Sequence, residues 1–409
     1  MRIFLAAAML IPISSALHAE PMALDAALRL AETRAPELRG REAGIDAAES
    51  SAIAADRLPD PKLNVTLQDF PVTGPDAGRL NRDDFTMQVI GISQDFPNPA
   101  KRRARATRAK ADIGIARADE TVTAQDVRLA TALAWVDLFY AKKRLKELDL
   151  LDADLDGLQA TVTARLASGA ARPAQALEPE QLRAQVQDRR SALTSEIARA
   201  RAQLARFTGD PAADTAGDPP SPMVDEVALR AGIDALPRLR ALDARALAAD
   251  AETGLARADK RPDWTVNAAY GRREPNYGDL VTLGVTIDLP FFSKKRQDPK
   301  IAARASEATR ARLDREAAKR DIAAALDADL ADHRMHHEQL GNAQSRLVPL
   351  AKKRAELDLA SYAAGKLDLG TALLSTLTLA EAEVDALARE AEVARDAIRI
   401  NYIYGEAGR

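Results

Sequence analysis

The sequence predicts a mostly α-helical fold with a small β part, built twice along the chain. Three observations carry this. Landmark residues recur in the same order at offsets near 200. Four short runs alternate apolar and polar residues with the period of a strand. Between them lie long proline-poor stretches with apolar residues spaced 3 and 4 apart, the spacing of packed helices. Aromatic residues make up only 4% of the 409 residues, while apolar residues make up 46%. A chain so poor in rings and rich in Ala and Leu leans on helix seams rather than one large core.

The balance of charge excludes other classes. Lys plus Arg number 58 and Asp plus Glu 61, a net charge of −3. No basic excess points to nucleic acid. With 29% charged residues among apolar ones throughout, the chain is not a disordered tail. There is no cysteine, so disulfides and thiolate metal sites are impossible. No lipid anchor on cysteine is expected either.

The first 19 residues read as an export signal. Arg2 precedes an apolar run from Ile3 to Ile13, and Ala16-Leu17-His18-Ala19 offers a small-residue cleavage end. The rest contains no run of ~20 apolar residues, the length of a membrane helix.

The repeat comes next. Pro36-Glu37-Leu38 corresponds to Pro237-Arg238-Leu239, and Pro59-Asp60 to Pro262-Asp263. Asp95-Phe96-Pro97 corresponds to Asp288-Leu289-Pro290, each followed by a basic cluster, at 101–103 and 294–296. Gly169 matches Gly365, and Gly209 matches Gly405. The expected units are a first repeat over 20–210, a Pro-rich linker over 211–223 and a second repeat over 224–409.

Each repeat reads as a helix, a strand pair and a helical hairpin. In the first, Leu24 to Arg57 is helical in composition. Strands are expected over 62–70, with Leu63, Val65 and Leu67 on one face, and over 84–96, with Phe85, Met87 and Val89 on one face. A hairpin follows over 99–207. In the second, strands are expected over 263–272 (Trp264, Val266, Ala268, Tyr270) and 279–290 (Val281, Leu283, Val285, Ile287), with a hairpin over 299–404. Strands of nine to eleven residues have the length that crosses an outer membrane at a tilt. Four strands cannot close a barrel, and open edges in lipid leave backbone groups unpaired. Either the sheet lies outside a membrane, or several chains share a barrel: two would give eight strands and three would give twelve.

The helices carry coiled-coil seams. Leu148, Leu151, Leu155, Leu158 and Val162 step by 3 and 4, as do Leu373, Leu377, Ala380, Val384, Leu387, Ala391, Ala394 and Ile398. Leu182, Val186, Leu193, Ile197 and Leu204 step by 4 and 7.

With its export signal, duplicated strand-pair and hairpin units and Gly-marked hairpin turns, the chain resembles the TolC family of outer-membrane efflux channels. Gly91-Ile92-Ser93-Gln94-Asp95-Phe96-Pro97 with Lys101-Arg102-Arg103 looks like that family's first strand-to-helix junction, and Thr286-Ile287-Asp288-Leu289-Pro290-Phe291-Phe292 like its second. The wording is closest to the branch serving heavy-metal efflux, of the cobalt–zinc–cadmium and copper–silver types. The resemblance implies a homotrimer whose chains each supply one third of a twelve-stranded barrel above a long α-helical periplasmic tunnel. It also implies a periplasmic adaptor, an inner-membrane pump of the proton-driven resistance-nodulation-division type, and contact with outer-membrane lipid. The location it implies is the outer membrane of a Gram-negative bacterium, extending into the periplasm.

The resemblance places adaptor contact and tunnel closure at the hairpin turns, Arg165 to Gly169 and Tyr362 to Gly365. Arg165 and Tyr362 would there be exposed members of a polar network. Relatives carry acidic residues six and nine positions after the second turn's glycine; here these are Thr371 and Leu374, and the nearest carboxylates are Glu178 and Asp368. Phe96, Trp264, Phe291 and Phe292 would form a belt at the membrane interface. His333, His336 and His337, at spacings of 3 and 4, form a potential chelate for a divalent metal on one helix; two of them also lie on the Leu326, Leu330, His333, His337, Leu340 packing stripe. No nucleophile motif, P-loop or His-Glu-x-x-His is present. No catalysis and no cofactor are expected.

Overall fold

The structure is a computed structural model and describes residues 21–80, 82, 84–169 and 172–405. The export signal lies outside them. The chain forms two compact units from interleaved segments: one of residues up to Leu38, Ala124–Gly232 and from Ala323 onward, the other of Arg39–Thr123 and Ile233–Ile322. The units are not the two repeats, since each draws on both halves of the chain.

Prolines set the helix boundaries. The single helix expected from Leu24 to Arg57 is two, α1 (Leu24–Arg34) and α2 (Pro36–Ala54). Ala35, before Pro36, takes ψ 121°. The proline ring excludes the α conformation from the preceding residue, so the helix must break there. The second repeat repeats the device: α5 (Glu226–Gly232) and α6 (Pro237–Ala258) flank Leu236, at ψ 141°.

The second unit carries the sheet. β1 (Lys62–Gln68), β2 (Met87–Phe96), β3 (Trp264–Arg272) and β4 (Leu280–Ile287) pair in that order, all antiparallel. The central pairing, β2 to β3, joins the two halves of the chain. β1 and β4 are edges with no further partner within the sheet. Register puts Leu63, Ile92, Ala268 and Leu283 in one row, and Val65, Ile90, Tyr270 and Val281 in the next but one. One face is therefore apolar. The other carries Asn64, Thr66, Ser93, Thr265, Asn267, Thr282 and Thr286 among small residues. The sequence reading of β2 had the wrong parity. Its apolar face is Ile90, Ile92 and Phe96, not Phe85, Met87 and Val89, and the strand begins at Met87 rather than 84. Met87 and Val89 face Gly271 instead, where the absent side chain makes room. In the same way Gly284 admits the Asn267 amide, which a Cβ there would meet at 2.7 Å.

The strand-to-helix junction is tightly held. The Asn98 side chain donates to the carbonyls of Ala258 and Arg261 and to Asp263 Oδ1 (2.9 Å). Lys101 Nζ lies 2.9 Å from both Asp259 and Asp263. The first residue of the basic cluster at 101–103 is thus an internal clamp. Burial opposes the ammonium, but the two carboxylates more than offset it and hold the Lys101 pKa above its usual value.

Helix α3 (Pro99–Ala167) contributes residues to both units, as does α7 (Ser293–Asn342). α7 begins six residues before the expected start at 299 and carries Pro299 inside it. That proline is exposed, so water can satisfy the carbonyl its missing N–H leaves free. A π-helical segment, Ala343–Leu347, precedes α8 (Val348–Ala363). Pro349 cannot donate to the preceding turn, and the widened turn absorbs the mismatch.

In the first unit, α4 (Glu178–Thr208) and α9 (Leu369–Tyr404) complete the helices. The seam residues meet as expected: Leu148, Leu151, Leu155 and Val162 of α3 pack with Leu182, Val186 and Leu193 of α4 and Leu369, Leu373, Leu377 and Ala380 of α9. A second cluster centres on Trp135, which stacks on Phe139 at 5.4 Å. The expected linker is pinned rather than loose. Met22 donates to Asp214 C=O (2.9 Å) and accepts from Ala216 N–H (3.0 Å) and from the Trp135 indole (2.8 Å).

Candidate functional site

The hairpin turns of the first unit assemble six of the residues singled out by sequence. Gly169 and Gly365 both stand at positive φ, 74° and 71°. Around Gly365 the ladder closes as a Schellman motif: Lys366 N–H to Ser361 C=O (2.9 Å) and Gly365 N–H to Tyr362 C=O (2.9 Å). A helix ends and reverses here because glycine alone takes this conformation at little cost.

Arg165 and Tyr362 are partners, not two exposed groups. The guanidinium carbon sits 4.7 Å from the Tyr362 ring centre, and Nη1 donates to the Tyr362 carbonyl at 3.1 Å. Tyr362 is consequently 7% exposed. A cation on a ring face with an added hydrogen bond ties the two hairpins at their turns.

The carboxylates lie beside each other. Asp368 caps α9, accepting from Thr371 N–H (2.9 Å) and Thr371 Oγ1 (2.7 Å). Those bonds hold its pKa below the usual range. Thr371 thus orients the Asp368 carboxylate. Glu178 begins α4. Its Oε2 is closed off from solvent with no hydrogen-bond donor, and both it and Asp368 Oδ1 border the space above Gly370. Burial, and then the Asp368 charge, push the Glu178 pKa up. An acid with a raised folded-state pKa weakens the fold once pH rises above the ordinary carboxylate range, and has no effect below it. Glu178→Gln is therefore expected to melt about 1–2 °C above the parent at pH 7 and level with it near pH 3, read by circular dichroism. Equal melting at both values would contradict this reading.

The histidine chelate does not form. Among the described residues, no three His, Asp or Glu side chains are placed to hold a metal. His336 turns to α9, its Nδ1 2.7 Å from Asp396 Oδ2. His333 is buried in the seam, its Nδ1 without a hydrogen-bond partner, and burial pushes its pKa down. His337 meets His333 edge-on at 5.8 Å between ring centres. Helical spacing brought the three close, but packing against α9 and the 211–223 segment directed their nitrogens apart.

In the second unit, Phe96 and Trp264 are cross-strand partners at the end of the sheet where β2 and β4 lead into helices. Phe291 and Phe292 follow β4 on the same side, 79% and 71% exposed. Leu63, Val65, Ile90, Ile92, Val281, Leu283 and Val285 are exposed as well, so the whole apolar face is uncovered. No helix among the described residues is long and apolar enough to cross a membrane.

No family model matches the chain. The cobalt-zinc-cadmium resistance protein CzcC of Cupriavidus metallidurans is 26% identical over 300 residues, covering 70% of this chain and 67% of that protein. A membrane protein from Pseudomonas aeruginosa superposes with TM-score 0.78 at 15% identity, covering 93% of this chain and 90% of that one. The open state of the MtrE outer membrane channel of Neisseria gonorrhoeae superposes with TM-score 0.75 at 15% identity, covering 93% and 89%. At such identities the structures speak for the fold. Along almost its whole length, this chain has the fold of the TolC-like outer-membrane channels, and over 300 residues it is similar in sequence to a heavy-metal resistance protein.

Proposed function

We propose that this chain is the outer-membrane channel subunit of a tripartite efflux system that exports heavy-metal cations, working as a homotrimer with a periplasmic adaptor and an inner-membrane pump. The observation that carries the reading is the sheet. Its apolar face is bare and its two edges, β1 and β4, are open. In water such a sheet invites aggregation. In a bilayer the same face meets lipid, and three copies pairing β4 to β1 close twelve strands with no edge left. The polar, small-residue face then lines a lumen.

The hairpin turns suit the entrance of such a conduit. Arg165 and Tyr362 hold the turns together, Gly169 and Gly365 lie at the adaptor contact, and threefold symmetry triples the Glu178–Asp368 pair. Six carboxylates around one entrance would concentrate cations without binding them tightly, as conduction requires. The likeness to CzcC supports a metal cargo. A duct for organic drugs or secreted proteins would share the fold. A periplasmic coiled-coil scaffold has no use for four alternating strands.

Deleting the chain from its host tests the cargo. The expected result is increased sensitivity to cobalt, zinc or cadmium, restored by the parent chain, with unchanged tolerance of organic drugs. Sensitivity to drugs alone would overturn the metal assignment.

A further inference from the structure

Where β4 leads into α7, residues of the second unit line an open cavity of about 440 Å³. Its chemistry is uneven. Asp259 and Asp263 share one cation, Lys101, which leaves this trio with one negative charge. Arg261, Arg296 and Lys300 line the same cavity, and none has a carboxylate partner among the described residues. In all, four cations of the lining face three carboxylates, Asp259, Asp263 and Asp288, an excess of one positive charge. The cavity therefore has a net positive field suited to an anion. It also holds an acceptor in need of a donor: Gln297 Oε1 is buried with no hydrogen-bond partner. Immediately beside it, Leu289, Phe291 and Phe292 are 58%, 79% and 71% exposed.

A cationic cluster, an unmet acceptor and a carboxylate lining one cavity, and exposed apolar residues following it in the chain together describe one kind of molecule. Its head carries a phosphate and an N–H-bearing cation, and its tail is hydrocarbon. We propose that this cavity binds the head group of an amino-phospholipid of the phosphatidylethanolamine type. Arg261, Arg296 and Lys300 hold the phosphate by charge-assisted hydrogen bonds. Gln297 Oε1 and Asp288 accept from the primary ammonium. The acyl chains run along Phe291 and Phe292. A buried carbonyl left without a donor carries a desolvation cost that the ammonium relieves. A trimethylated head group has no N–H to offer and cannot. The inference rests on the sheet being in a membrane, and it adds a specific lipid contact at the rim of the barrel.

The test is native mass spectrometry of the full chain in detergent, supplemented separately with phosphatidylethanolamine, phosphatidylcholine, phosphatidylglycerol or inorganic phosphate. Phosphatidylethanolamine adducts should exceed phosphatidylcholine adducts about tenfold, the scale of a charged hydrogen bond. Arg296→Gln/Lys300→Gln should lower them about tenfold. Gln297→Leu should reduce the preference over phosphatidylcholine, and Gln297→Leu/Asp288→Asn should erase it, while phosphatidylglycerol binding persists. Lys352→Gln/Lys353→Gln, on α8 of the first unit, should leave all adducts unchanged. Equal phosphatidylethanolamine and phosphatidylcholine adducts on the parent, or unchanged adducts on the Arg296/Lys300 variant, would overturn the proposal. So would phosphate displacing the lipid at equal concentration. Fractionation of the same cells separates this from the channel reading. A chain found outside the outer membrane contradicts the channel reading, and selective adducts on it would still sustain the head-group site.

Discussion

Leu283→Arg is expected to abolish assembly into the outer membrane. Leu283 lies midway along β4, is 77% exposed, and shares the apolar face with Ala268, Ile92 and Leu63. Nothing among the described residues covers it, so in water its loss would be neutral or even favourable to solubility. In a barrel its side chain meets the bilayer core, where an arginine costs about 2–4 kcal/mol in each copy. Three copies in one barrel multiply that cost. Thr282→Arg, one residue earlier, places the same charge on the opposite face. It should still assemble, with altered conductance, because lumen substitutions change selectivity rather than insertion. Outer-membrane fractionation of the two variants makes the comparison. Equal behaviour would contradict a sheet with one lipid-facing side.

Trp135→Ala should cost about 3–5 kcal/mol, the largest loss expected from a single truncation in the first unit. Trp135 is fully buried, stacks on Phe139, and donates its indole N–H to the Met22 carbonyl at 2.8 Å. That carbonyl also receives Ala216, so the ring holds the 211–223 segment and the N-terminal residues onto α3 at once. Truncation leaves a void and loosens both. Melting should fall on the order of 10 °C for a unit of this size. Trp264, the chain's other tryptophan, is 48% exposed on the sheet. Trp264→Ala should leave the melting temperature of the first unit unchanged. Similar losses in both would show that Trp135 has no special role.

These contrasts also show what the sequence could and could not tell. Strands β1, β3 and β4 were legible because period-two alternation reports a two-sided environment whether the apolar side meets a core or lipid. β2 misled because Met87 and Val89 are apolar on the polar face, tolerated there by Gly271 across the strand pair. The seams were legible because helical spacing alone brings Leu148 to Val162 to one side. What spacing cannot show is which way a side chain turns once a second helix arrives. His336 was drawn to Asp396, 60 residues away, and the expected chelate was lost. Arg165 found the Tyr362 ring 197 residues away, and Lys101 found Asp259 and Asp263. Each of these partners is set by tertiary packing. The break at Ala35 was missed in expecting one helix from Leu24 to Arg57, although Pro36 signals it, since a proline restricts the residue before it in any context.

A channel requires several copies to complete the four-stranded sheet, whose edges are β1 and β4. Native mass measurement of the protein extracted from the outer membrane decides it. Three chains per particle, giving twelve strands, is the predicted result. A single chain recovered from the periplasmic fraction, with its four-stranded sheet unclosed, would contradict it.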